Sequence, residues 1–221
     1  MDKIYWLSSA VKFDDKLCYV PGAQMDKKSC PHDPRHHMRQ RWKKPLRVIG
    51  PVRGLTDFEW TVFGDILVGP EIVSDFRSAG FSGIEFTPVD LFTTTETPIG
   101  RESYELKITG WGGYAPVESG IRVLKECPYC GRKVFSGFTN KEKLFDAAQW
   151  DGSDFFIIWP MPKKFFITDR VRKFMLERDY SGVTIHALGE LRPAVAGTFT
   201  PGNLHDWFSA SKVAEILRDR D

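Results

Sequence analysis

No apolar run in the 221 residues approaches the eighteen or so that a membrane-crossing helix needs, which excludes such a span. Cysteine is scarce: four residues are too few for a disulfide-built scaffold of this length. The start, Met1-Asp2-Lys3-Ile4-Tyr5-Trp6, lacks the apolar middle and cleavage site of a signal peptide. A cytoplasmic protein is therefore expected, and in a reducing cytosol cysteines serve metal or catalysis more than disulfides. No GxSxG, P-loop or HExxH pattern occurs. The run Gly110-Trp111-Gly112-Gly113-Tyr114 lacks the spacing of a phosphate loop and reads as a turn. His186-Ala187-Leu188-Gly189-Glu190 is not the HxE of zinc deaminases, and His205-Asp206 are chain neighbours, which rarely form a dyad. The expectation is a protein that is not an enzyme.

What is present is an ordinary globular composition, 42% hydrophobic and 27% charged, with 14% aromatic residues including seven Trp. The length suits one compact domain over 1–221. A net charge of +2 conceals an asymmetry. Between Lys27 and Arg47, eight basic residues face Asp33 alone, a net +7 that leaves −5 to the rest. Such a stretch can hold a phosphate backbone or an acidic protein partner. It also carries the one concentration of arginine and aromatic anchors outside the expected core: Arg35, Arg39, Arg41 and Trp42.

The chemistry concentrates in Cys127-Pro128-Tyr129-Cys130-Gly131-Arg132. Two thiolates three positions apart, with Gly after the second, form a turn whose amides face sulfur, half of a tetrahedral Zn2+ site. Ile121–Leu124 and Arg132–Phe135 flank it as strands, so the thiols stand at the tip of a hairpin like a zinc-ribbon half-site. Cys18 and Cys30 complete four thiolates, making Cys18, Cys30, Cys127 and Cys130 the expected metal set, with metal-binding elements at 18–37 and 121–136. His32, Asp33, His36 and His37, all close to Cys30, compete with Cys18 for the fourth place. A metal would also pin residues 21–45, whose prolines and lack of periodicity predict an irregular segment.

Shifting the chain by 99 residues lays 58–92 over 157–191 without a gap, Trp60 on Trp159 and Ser82-Gly83 on Ser181-Gly182. Each copy reads as strand, helix, strand. Pro70 opens the first helix and Gly80 ends it; Thr168 caps the second, with Val171, Phe174 and Met175 at helical spacing. Further strands are expected at 3–7, 46–49, 58–63 and 104–108, a loop over 191–202 and a helix over 211–220. The fold class is α+β: two related strand–helix–strand halves around mixed or antiparallel sheets, joined by the zinc-ribbon-like hairpin.

The CPYCGR motif, set between units that end in Ser82-Gly83-Ile84-Glu85-Phe86 and Ser181-Gly182-Val183-Thr184-Ile185, resembles the double-CxxCG motif family. These bacterial proteins are abundant as paralogues in myxobacteria, and some are similar to immunity proteins of contact-delivered toxins. The resemblance covers Phe58 to Leu191. The family's second motif falls on Cys127, Cys130 and Gly131; its first falls on Cys30 and Asp33, where the second cysteine is missing. It implies an immunity protein that occludes a cognate protein toxin. The competing expectation is a zinc-ribbon nucleic-acid binder acting through 27–47.

Overall fold

Alternation of side chains along extended backbone builds the layers of this protein. The computed structural model describes residues 3–21, 25–50, 55–192 and 197–218, with backbone alone at 25–27 and 37–42. In chain order the strands and helices begin with β1 (Ile4–Ser9), β2 (Cys18–Tyr19), β3 (Met25–Ser29), β4 (His37–Trp42), β5 (Leu46–Ile49), β6 (Phe58–Trp60) and β7 (Ile66–Val68). Then come α1 (Pro70–Ser78), β8 (Ile84–Phe92), β9 (Tyr104–Ile108), β10 (Gly110–Tyr114), β11 (Val123–Glu126) and β12 (Lys133–Ser136). The chain ends with β13 (Phe155–Trp159), β14 (Phe165–Thr168), α2 (Asp169–Arg178), β15 (Val183–Ala187), β16 (Thr198–Phe199) and α3 (Ala210–Arg218).

One sheet runs β10-β13-β14-β1-β15, antiparallel except where β10 meets β13. A second runs β2-β5-β8-β9-β7-β6, antiparallel except between β5 and β8. Two smaller sheets are β11-β12-β16 and the ribbon β3-β4. The α+β class with mixed sheets thus holds.

Period-two alternation sorts the apolar residues into separate cores. Along β13, Phe155, Ile157 and Trp159 enter the central core, while Phe156 and Ile158 enter a second one on the opposite face. Along β7, Ile66 and Val68 enter the central core and Leu67 a third. The central core lies between the two large sheets and takes in one face of α1, α2 and α3: Ile72, Val73 and Phe76 of α1, Val171 and Met175 of α2, Val213 and Ile216 of α3. Helix starts follow their caps. Pro70 sits in the first turn of α1, where a missing N–H costs nothing, and the Thr168 hydroxyl accepts from the Val171 N–H at 3.5 Å.

Three expectations change. Residues 21–45 are not irregular throughout: β3 and β4 pair antiparallel, Met25 opposite Trp42. Their pairing runs through backbone groups, which a lysine- and arginine-rich sequence does not announce. Gly110–Tyr114 is a strand, not a turn; β10 lies so close to the Phe156 ring that a Cβ on Gly112 would meet it at 2.4 Å. The 191–202 loop contains β16, with 193–196 outside the described residues. The last helix spans Ala210–Arg218, and 219–220 also fall outside the described residues.

The segments compared at an offset of 99 carry the same elements in the same order. The hairpin β6–β7 leads into α1 and β8, and β13–β14 into α2 and β15. In each sheet an outside strand, β9 or β1, stands antiparallel between the second hairpin strand and the post-helix strand. The gap-free register fails for the first strand, however. Phe58 pairs with Val68 and Phe155 with Ile167, so Phe58 matches Phe155 and the second hairpin loop is two residues longer.

The segments also hold each other by matching contacts. Asp154 accepts from the N–H and hydroxyl of Ser82, at 3.0 and 3.2 Å, and the Phe155 N–H donates to the Ser82 carbonyl. Asp57 accepts from the N–H and hydroxyl of Ser181, at 2.8 and 2.7 Å, and the Phe58 N–H donates to the Ser181 carbonyl. The adjoining Gly83 and Gly182 face the Phe155 and Phe58 carbonyls so closely that a Cβ would clash at 2.0 and 2.1 Å.

Candidate metal centre

β11 and β12 form the expected hairpin, with Val123 opposite Phe135 and Glu126 opposite Lys133. At its tip the Cys127 N–H donates to the Arg132 carbonyl and the Gly131 N–H to the Cys127 carbonyl, both at 2.9 Å. Gly131 takes φ +67°, which turns the chain back into β12. The amides of Cys130 and Tyr129 stabilise a thiolate at Cys127 and bring its pKa down to about 6. Cys130 is pushed up, first by burial and then by the neighbouring thiols of Cys127 and Cys30.

A second loop, Cys30–His36, closes on itself. The Cys30 N–H donates to the His36 carbonyl at 2.7 Å, and the His36 N–H to the Asp33 carbonyl at 2.9 Å. The Asp33 carboxylate accepts from the Arg35 backbone N–H, and the Arg35 guanidinium grips it at 3.0 and 2.9 Å. That fork holds the Asp33 carboxyl down at about 2. Closure of the loop sets the buried Cys30 beside His36.

The two loops meet. One ligand atom each from Cys30, His36, Cys127 and Cys130 lies within 4.8 Å of all the others. Sulfurs bound to one tetrahedral zinc at about 2.3 Å stand ~3.8 Å apart, so the group is somewhat wider than a closed site of that kind. The imidazole is ready for a cation: Nδ1 of His36 is buried without a hydrogen-bond partner. Around the group, His32 stacks on Tyr129 with ring centroids 3.2 Å apart, and Arg132 donates to the Arg35 carbonyl at 3.2 Å.

Three of the four expected thiols therefore converge, and Cys18 does not. It is exposed on β2, paired with Ile49 of β5, and His36 takes the fourth place. Strand pairing with β5 commits Cys18 to the six-stranded sheet, whereas a loop five residues long between Cys30 and His36 delivers both from one turn. His32, also close to Cys30 in the chain, serves the ring stack; Asp33 lies outside the group, and the side chain of His37 is outside the described residues. The same is true of the side chains of Arg39, Arg41 and Trp42, although β4 places their backbone. Arg35 is exposed and paired with Asp33. Elsewhere in the basic stretch, Lys44 bonds Glu105, and the Arg47 guanidinium lies 4.7 Å over the Phe92 ring.

A second histidine cluster has no signature in the sequence. Ser8 Oγ lies 2.8 Å from His186 Nε2, and His186 stacks on Trp6. His186 Nδ1 stands 3.6 Å from Glu190, beyond hydrogen-bond reach, while the same Glu190 oxygen accepts from the Ala187 N–H. This cluster ties β1 to β15. No family model matches the chain, and no curated protein matches it.

Proposed function

We propose that Cys30, His36, Cys127 and Cys130 hold a structural Zn2+, and that the protein is a cytoplasmic immunity protein that neutralises a cognate bacterial toxin by occluding it. The observation that carries the zinc reading is the convergence of three sulfurs and an imidazole from loops about ninety residues apart. A closed Cys3His set suits structural zinc, with no position left open for substrate. On this reading the β11–β12 hairpin is a zinc-ribbon-like half-site. The matched Asp–Ser contacts support reading the two segments as copies of one unit. The resemblance of CPYCGR and its flanking units to the double-CxxCG motif family supports the immunity role.

The staple also fixes what stands outside it. Tyr129 is 61% exposed and Leu124 54%, and the Arg35 side chain is 88% exposed. An aromatic and an arginine held on a pinned loop suit the anchors of a protein interface. Purification from native cells, followed by reconstitution with the co-purifying protein, tests the reading. A stoichiometric complex that silences a toxic activity is the expected result. Sub-micromolar binding of duplex or single strands at physiological salt, with no protein complex, favours a nucleic-acid binder and overturns this reading.

A further inference from the structure

Asp33 stands where a CPxC knuckle would have its second cysteine, yet its carboxylate lies outside the ligand group. The carboxylate faces the other side of the imidazole instead: Oδ2 of Asp33 is 3.5 Å from Nε2 of His36, an ion-pair separation at the outer edge of hydrogen-bond reach. The opposite nitrogen, Nδ1, is the buried atom without a partner. Arg35 fixes the carboxylate from behind through three contacts, so Asp33 cannot swing towards the sulfurs without losing them.

We propose that Asp33 is a positioning residue for the metal: it holds the proton on Nε2 of His36 and leaves the Nδ1 lone pair for zinc. The inference rests on the zinc reading above. Its physical basis is that an imidazole carries one proton in its neutral form, and the group facing one nitrogen decides which nitrogen is free. A carboxylate facing N–H also makes the opposite nitrogen a better donor, the outer-shell arrangement common at histidine–zinc bonds.

The test separates this role from a role in the turn. Zinc affinity of the full-length chain is measured by competition with a chelating indicator for the parent, Asp33→Ala, His36→Cys and the double variant. Asp33→Ala should weaken zinc by about 10–100-fold when residue 36 is histidine. With His36→Cys there is no imidazole to orient, and the same substitution should change affinity by no more than about twofold. Equal losses in both backgrounds would mean that Asp33 acts only by shaping the loop, and the proposal would fall. A parent chain that takes up no zinc would overturn the zinc reading itself, a result visible before any variant is made. Should His36→Cys not fold, 15N spectra of histidine-labelled, zinc-loaded parent decide the matter. Nδ1 should carry the metal and Nε2 the proton; the reverse assignment refutes the proposal.

Discussion

The two Asp–Ser contacts between the segments form the same bonds in different surroundings, and that contrast sets a quantitative expectation. Asp154 is 8% exposed, whereas Asp57 is exposed. Beyond Ser82, Asp154 accepts from the Thr168 hydroxyl at 3.2 Å and from Arg170 at 2.9 Å; Ser181 is Asp57's partner. In Asp154→Ala the N–H and hydroxyl of Ser82, itself an exposed residue, and the Thr168 hydroxyl each lose a bond to the shielded carboxylate, at about 1 kcal/mol apiece. Arg170 is 55% exposed, so its loss adds little after rehydration. The total is about 2–4 kcal/mol, which for a chain of this length lowers Tm by about 4–16 °C. In Asp57→Ala water replaces the carboxylate, and the cost is about 1 kcal/mol or less. Thermal unfolding followed by circular dichroism, at matched metal content, measures both. Equal losses would refute the argument that burial, and not the bonding pattern, decides the energy.

Cys130→Ser should abolish stoichiometric zinc uptake and lower Tm, because binding energy at a structural site is folding energy; Cys18→Ser should change neither, and elemental analysis of both proteins checks it. Phe76→Ala should cost about 3–5 kcal/mol in denaturant unfolding, since that ring is fully buried against Phe58, Phe155 and Tyr180. Asp151 is held below the ordinary carboxylate value: burial raises it, but the Lys212 ammonium and the Ser153 and Trp111 donors outweigh burial. A depressed folded value means stability that is present above about pH 4 and lost as pH falls through the folded pKa. Lys212→Met should therefore flatten the acid limb of the Tm–pH profile, and an unchanged limb would show that the Asp151–Lys212 pair at 2.8 Å carries none of it.

Local pattern alone determined a good deal of this protein. The spacing of Cys127 and Cys130, with Gly131 behind them, dictated a hairpin tip with two sulfurs on one side, because the turn is built from neighbours in the chain. Apolar patterning placed the strands at 46–49 and 104–108, and Pro70 and Thr168 placed the starts of α1 and α2, for the same reason. What depended on distant partners was not legible. Nothing near Gly112 signals that the Phe156 ring will cover it, and the gap-free repeat concealed the two extra residues that only the pairing of Phe155 with Ile167 reveals. The fourth ligand is the clearest case. Cys18 and His36 were both chemically suitable, and composition favoured the thiol. Pairing of β2 with β5 carries Cys18 into a sheet, while the bond from the Cys30 N–H to the His36 carbonyl folds His36 back beside Cys30. A metal site is a statement about where four atoms meet, and that is decided by the packing of whole segments against one another.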